Sequence, residues 1–317
     1  MINHTSFNVV LFLSALVSLY FLVFGHRKHL EKKSGMRSPF IEEFLRLPGH
    51  TARLQRLEYF DQLTERYNQF LLLSAVFLFS YLFLNSLLGI VCFVVAAIGV
   101  ILVLVKAWKL YGVIQESNLV CDGEEYTGQE LNYLWAEGAV VFHDVPYSGG
   151  NIDHIVIGND KIFAIETFTQ NKEYSEAPLS QSGSIVEFNG NILKFPSVET
   201  SEPLDQAARH ASYLERQILE NCKVDFQVMP VVAIPGWHVK ITSTGRAQTL
   251  VINPKRGAGL KSWLGTVKEP EQRKLVLSYL SSVARSIPPR SKRTDSTAAQ
   301  EYDFWLSPRF KEKILND

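Results

Sequence analysis

Residues 151–169 read NIDHIVIGNDKIFAIETFT. Two apolar runs of strand length flank Asn159-Asp160, a pair of turn residues. The spacing predicts a hairpin, with strands over 152–158 and 161–169. Side chains alternate faces along a strand. Asp153 therefore shares a face with Ile155 and Ile157, and Glu166 shares one with Ile162, Ala164 and Phe168. Asp153 opens the first strand and Glu166 lies near the end of the second. Both carboxylates then fall at one end of adjacent strands.

The flanking sequence supplies the rest of a domain. Upstream, 127–136 (TGQELNYLWA) reads as a helix, with Thr127 as N-cap and Glu130 at capping-box spacing. Gly138 ends it, 139–144 (AVVFHD) is strand-like, and Ser148-Gly149-Gly150-Asn151 is a hairpin turn. Downstream, two weaker strands, 185–188 and 192–195, surround the Asn189-Gly190 turn. Pro203 opens a helix to about Glu220, with Leu204, Ala207, Ala208, Ala211, Leu214 and Ile218 on its apolar face. Strands over 228–234 and 249–253 and a helix over 268–286 follow. Strands mixed with helices in this way predict an α/β domain around a mixed central sheet.

The N-terminal half has a different texture. The 317-residue chain balances 32 Lys and Arg against 32 Asp and Glu, which excludes a strongly basic nucleic-acid binder and an acidic disordered chain. Its charge is unevenly spread: 7–24 and 67–105 hold no Asp, Glu, Lys or Arg. About 20 apolar residues in a helix span a bilayer core. Residues 7–24 fit one span. The basic GHRKHLEKK after them, in place of small residues, reads as an uncleaved anchor rather than a signal peptide. The longer run, broken at Asn85-Ser86, reads as a hairpin of spans over 69–84 and 87–105. Trp108 and Tyr111 suit the headgroup boundary. Lys and Arg follow the first and third spans and avoid the Asn85 turn, which puts the N-terminus and the Asn85 turn outside and residues 25–68 and 112–317 on the cytoplasmic side of the inner membrane. No ionisable residue sits in the spans, which disfavours a channel or transporter. Between the spans, Leu54, Leu57, Phe60, Leu63 and Tyr67 recur at helical spacing, for the inner leaflet or for the soluble domain.

The expected division is an anchor over 1–24, a basic and amphipathic linker over 25–68, a membrane hairpin over 69–111, the α/β domain over 112–287 with its core at 127–240, and a polar tail over 288–317. Bilayer lipid is one expected partner. No GxxxG pattern in the spans indicates an oligomeric state.

Little else carries chemistry. Cys92, Cys121 and Cys222 are too dispersed for a disulfide framework or a paired metal motif. GxSxG, HExxH and GxGxxG are absent, and 256–262 (RGAGLKS) lacks the Gly-Lys-Ser/Thr run of a phosphate loop. His143 and His154 alternate with apolar residues and read as structural. Lys240, Arg246, Lys255, Arg256 and Lys261 are basic enough to contact phosphates, or are solvated loop charges. The acids stand out: Asp153 and Glu166, with Glu130 from the preceding helix, would form a hard-oxygen set for Mg²⁺ or Mn²⁺.

Gly128-Gln129-Glu130, Phe142-His143-Asp144, 151–158, Phe163-Ala164-Ile165-Glu166-Thr167, Gln206-Ala207-Ala208-Arg209 and 231–237 (VVAIPGW) occur in an order and spacing that resemble the nuclease-related domain (NERD) family, a branch of the PD-(D/E)xK nuclease-like superfamily. The resemblance implies a restriction-endonuclease-like fold, metal ligation by Glu130, Asp153 and Glu166, and a supporting role for Gln206. It also implies a lysine two residues after the glutamate, where this chain has Phe168. A phenylalanine neither donates a proton nor stabilises an anion. Lys194 or Lys172 would have to substitute in an active Mg²⁺- or Mn²⁺-dependent nuclease. Otherwise the domain is a weakened or degenerate one that binds nucleic acid or a protein partner at the membrane, or a structural scaffold.

Overall fold

The computed structural model describes residues 43–147, 149–172, 185–242, 248–266 and 270–287. The expected first span (7–24), its basic flank and the tail (288–317) lie outside these residues, as does Arg246.

A short strand β1 (Phe44–Leu45) leads into helix α1 (His50–Tyr81), and a turn at 82–86 leads into helix α2 (Leu87–Leu131). A 3-10 turn (Asn132–Glu137) precedes the hairpin β2 (Val140–Tyr147) and β3 (Gly150–Ile157), followed by β4 (Ile162–Thr167). Short strands β5 (Ile185–Phe188), β6 (Leu193–Lys194) and β7 (Glu199–Thr200) come before helix α3 (Glu202–Cys222). Then come β8 (Val228–Ala233), β9 (His238–Ile241), β10 (Leu250–Ile252), the short helix α4 (Ala258–Lys261), helix α5 (Pro270–Val283) and β11 (Arg285–Ile287).

The central sheet has five strands in the order β10-β8-β4-β3-β2. Strands β2, β3 and β4 form an antiparallel meander, while β8 joins β4, and β10 joins β8, in parallel. A second sheet of four strands runs β7-β6-β5-β9, and β1 pairs with β11. The mixed α/β architecture is the one the sequence implied. The fully buried Ile155, Ile157 and Ile162 pack with Ala211, Leu214 and Ile218 of α3 and with Val276 and Leu280 of α5. On the other side, Val156, Phe163 and Ile165 meet Leu131 and Leu134. Full burial of one such side chain is worth about 1.5–3 kcal/mol.

Three transmembrane helices are not supported. Among the described residues one helix, α2 with its 3-10 extension (Leu87–Glu137), is long and apolar enough to cross a membrane. Helix α1 carries charge as far as Arg66 and ends at Tyr81, so its uncharged part covers about 22 Å at 1.5 Å per residue, short of a hydrocarbon core about 30 Å thick. The two helices do form the expected antiparallel pair around the Asn85 turn, and the Ser86 hydroxyl caps α2 by accepting from the Gly89 amide at 3.0 Å.

A separate helix beginning at Thr127 is also corrected. Thr127 is fully buried inside α2. No proline interrupts 87–131, so nothing breaks the helix before the domain, and a capping pattern inside a helix has no free amides to cap. The amphipathic stretch from Leu54 to Tyr67 is helical as expected, and its beginning packs on the α/β domain: Thr51, Ala52, Gln55 and Tyr59 are buried. Strands β9 and β11 had no clear sequence signal. They are short, and β11 begins where a continuing helix is expected.

Candidate active site

The β3–β4 register pairs His154 with Ile165. Extending it by one residue sets Asp153 opposite Glu166 on one face of the sheet, as the alternation predicts. Both are buried, 6% and 3% exposed. The Thr167 amide donates to Asp153 Oδ2 at 2.8 Å, so this carboxylate takes over where the backbone ladder ends.

Glu130 does not line the cleft beside these two acids. Its Oε2 accepts from the Arg256 amide. The acid that α2 presents to Asp153 and Glu166 is Glu124, 7% exposed. Six residues turn a helix through about 600°, so Glu124 and Glu130 point about 120° apart and one alone faces the sheet end. Helical spacing from Glu116 through Val120 to Glu124 carried the signal, hidden by reading a helix start at Thr127. Gly123 lets α2 approach this closely: a Cβ there would lie 1.9 Å from Thr169 Cγ2.

The three acids line a cleft of about 710 Å³. Helix α3 contributes Glu202, Gln206, Arg209 and His210, which share a helical face. Gln206 thus lines the same cleft as the acids. Sequence reasoning missed His210, whose Nδ1 lies 3.3 Å from Glu166 Oε2 and whose Nε2 lies 3.1 Å from the Tyr147 hydroxyl. It sits within the apolar face of a helix and gives no motif.

Burial and the neighbouring Glu166 push the Asp153 carboxyl well above the usual range, against the opposing pull of the Thr167 amide and His210. Burial, then Asp153, Asp144 and Glu166, does the same to Glu124. Glu124 Oε2 is buried without a hydrogen-bond partner. The chemistry of these three oxygen donors fits a divalent cation. As arranged, however, no group of three His, Cys, Asp or Glu side chains among the described residues is close enough to hold a metal ion. Asp153 is turned to Thr167 and Glu166 faces His210.

Neither candidate lysine lines the cleft. Lys194 is exposed and pairs with Glu199 at 2.8 Å, and Lys172 Nζ lies 5.6 Å from the Trp237 ring centroid. Phe168 lines the cleft and packs on the cluster between the sheets, its ring centroid 5.7 Å from that of Phe195. Among the other basic residues, Lys240 pairs with Glu187 and Lys261 with Glu137, and Lys240, Lys255, Arg256 and Lys261 all lie off the cleft. The segment RGAGLKS forms two short helical turns. His143 and His154 form a mutual pair away from the acids, Nδ1 to Nδ1 at 3.0 Å.

The sheet meander thus brings Asp153 and Glu166 together beside Glu124 of the preceding helix. Residues 119–235 match the family model described as Nuclease-related domain (NERD), and the chain carries a nuclease-related domain there. No curated protein and no solved structure matches the chain.

Proposed function

We propose that this chain is a membrane-tethered nuclease-related domain that holds Mg²⁺ or Mn²⁺ on Glu124, Asp153 and Glu166 and engages nucleic-acid phosphate with weak cleavage. The carrying observation is that three buried carboxylates line one cleft. A divalent metal bound there would lower the pKa of a water and stabilise charge on a phosphate. The chain's own residues do the rest. Burial of Glu124 and Asp153 disfavours their bare anions and so favours a cation. Arg209 at the cleft rim offers a charged fork to a phosphate oxygen. Gln206 supplies an orienting amide.

The reading of weak cleavage rests on Phe168. It stands two residues after Glu166, where the resemblance implies a lysine, and Lys194 and Lys172 lie off the cleft. Tethering rests on α2, with 87–105 as the bilayer segment, Trp108 and Tyr111 exposed at its end, and Lys106 and Lys109 on the cytoplasmic side.

The test uses the full chain in lipid nanodiscs, incubated with single- and double-stranded DNA and RNA and Mn²⁺, beside Glu166→Ala. We expect Mn²⁺-dependent nucleic-acid binding and slow cleavage, both lost in the variant, and faster cleavage by Phe168→Lys. A wild-type chain that binds neither Mn²⁺ nor nucleic acid would overturn the reading and leave a protein partner or a scaffold role.

A further inference from the structure

Asp144 is fully buried, and its backbone is left-handed at φ +50°, a region costly for a residue with a side chain. Its two oxygens accept four hydrogen bonds. Arg46 Nη1 at 2.9 Å and the Thr51 hydroxyl at 2.8 Å donate to Oδ2. The Thr51 amide at 3.3 Å and Asn151 Nδ2 at 2.8 Å donate to Oδ1. Arg46 is itself buried, and its Nε donates to the Ser286 hydroxyl at 2.6 Å.

Asn151 faces two carboxylates. Its side-chain amide donates to Asp144 and also, at 3.4 Å, to Asp153 Oδ1. The other oxygen of Asp153 takes the Thr167 amide. A planar amide with two N–H groups, one directed to each acid, has its orientation set by the better-anchored partner. That partner is Asp144, which three further hydrogen bonds, one of them from the charged Arg46, hold still. An unbroken chain of contacts thus runs from Arg46, just ahead of the helical pair, through Asp144 and Asn151 to Asp153 and Thr167. Thr51, in the first turn of α1, joins the same carboxylate and lines the cleft.

We propose that Asn151 is a positioning residue that fixes the Asp153 carboxylate, and that Arg46 and Thr51 fix Asn151 through Asp144. The entrance to the helical pair is thereby tied to the geometry of the cleft. The metal arm of the test rests on Asp153 being a ligand; the amide arm does not.

The Thr167 amide is a built-in reporter, because its proton is held by Asp153. In the full chain in nanodiscs, hydrogen exchange and Mn²⁺ affinity are compared for wild type, Asn151→Ala and Arg46→Lys, the last keeping the charge while losing the fork. Loss of an outer partner of a ligand typically weakens metal binding about 10- to 100-fold, and we expect Asn151→Ala to fall in that range. Exchange at Thr167 should accelerate at least about tenfold, with Phe163 and Ile165 unchanged, and Arg46→Lys should shift both readouts in the same direction by less. Unaltered Thr167 exchange in Asn151→Ala overturns the proposal. So does acceleration spread evenly over β4, which would mean a role in fold stability alone. If the wild type takes up no Mn²⁺ while Thr167 responds selectively, the positioning role stands and the metal reading falls.

Discussion

The Nδ1 atoms of His143 and His154 lie 3.0 Å apart across the β2–β3 pair. One must donate and the other accept, so the accepting ring is neutral, and burial disfavours charge on either ring. Protonating the acceptor would set two N–H groups against each other.

Acid sensitivity follows. Burial lowers the His143 pKa from 6.5 to about 4, and burial with His143 beside it pushes His154 down as well. Above pH 6.5 neither folded nor unfolded chain carries the His143 proton. Between 6.5 and 4 the unfolded chain binds it and the folded one does not, so stability falls with pH through that window. The depression is worth about 3 kcal/mol by pH 4. Unfolding of wild type and His143→Gln, measured across pH 7.5 to 4, should show a shallower acid loss in the variant. Equal slopes would rule out the neutral pair.

The carboxylates act in the opposite sense. Asp153 and Glu124 have raised folded pKa values, so the stability of their protonated forms is present below about pH 4 and is lost as pH rises through those raised values. In chelator, Glu124→Gln should stabilise the protein at pH 8 by roughly 1 kcal/mol or more, by removing a repelled buried charge. Mn²⁺ at about 100 times its Kd should add about 2.7 kcal/mol to the wild type and far less to the variant. Thermal unfolding with and without Mn²⁺ reads both effects, and a metal response equal in the two proteins would exclude Glu124 from the site.

Arg46 and Asp144 form a fully enclosed ion pair at 2.9 Å. Removing one partner of such a pair costs about 3–5 kcal/mol, because the other charge stays buried. Arg46→Met should show that loss in denaturant unfolding. Arg46→Met with Asp144→Leu should recover part of it. A double variant no more stable than the single one would count against the pairing.

Gly123 tests the close approach of α2 to the sheet end. A glycine inside a helix costs about 1 kcal/mol relative to alanine. Gly123→Ala should nonetheless destabilise by about 1–3 kcal/mol, since the new methyl meets Thr169 Cγ2. Adding Thr169→Ser removes that methyl and should return the helix gain. A Gly123→Ala protein more stable than wild type would mean the contact is loose.

The meander was legible because period-two alternation fixes both the strands and the faces of Asp153 and Glu166. Helix α3 was legible from its apolar spacing, and Gln206 on it lines the cleft. Glu124 was not, because a helix with no interior stop signal can be cut at the wrong capping pattern, and a shift of six residues changes which acid faces inward. His210 and Asp144 were invisible as functional groups for another reason. Their partners, Glu166 and Arg46, are remote in sequence, and such pairings exist only after the sheet has formed.

In the membrane-tethered arrangement we propose, with 87–105 in the bilayer, the path from Val105 to Glu124 is unbroken helix, about 28 Å at 1.5 Å per residue. The helix is then a ruler and a compass together. It sets the height of the cleft above the lipid, and, since each residue turns the helix by 100°, it also sets the direction the cleft faces. A single inserted residue between Val105 and Glu124 would swing the opening by more than a quarter turn while raising it by less than the width of an atom.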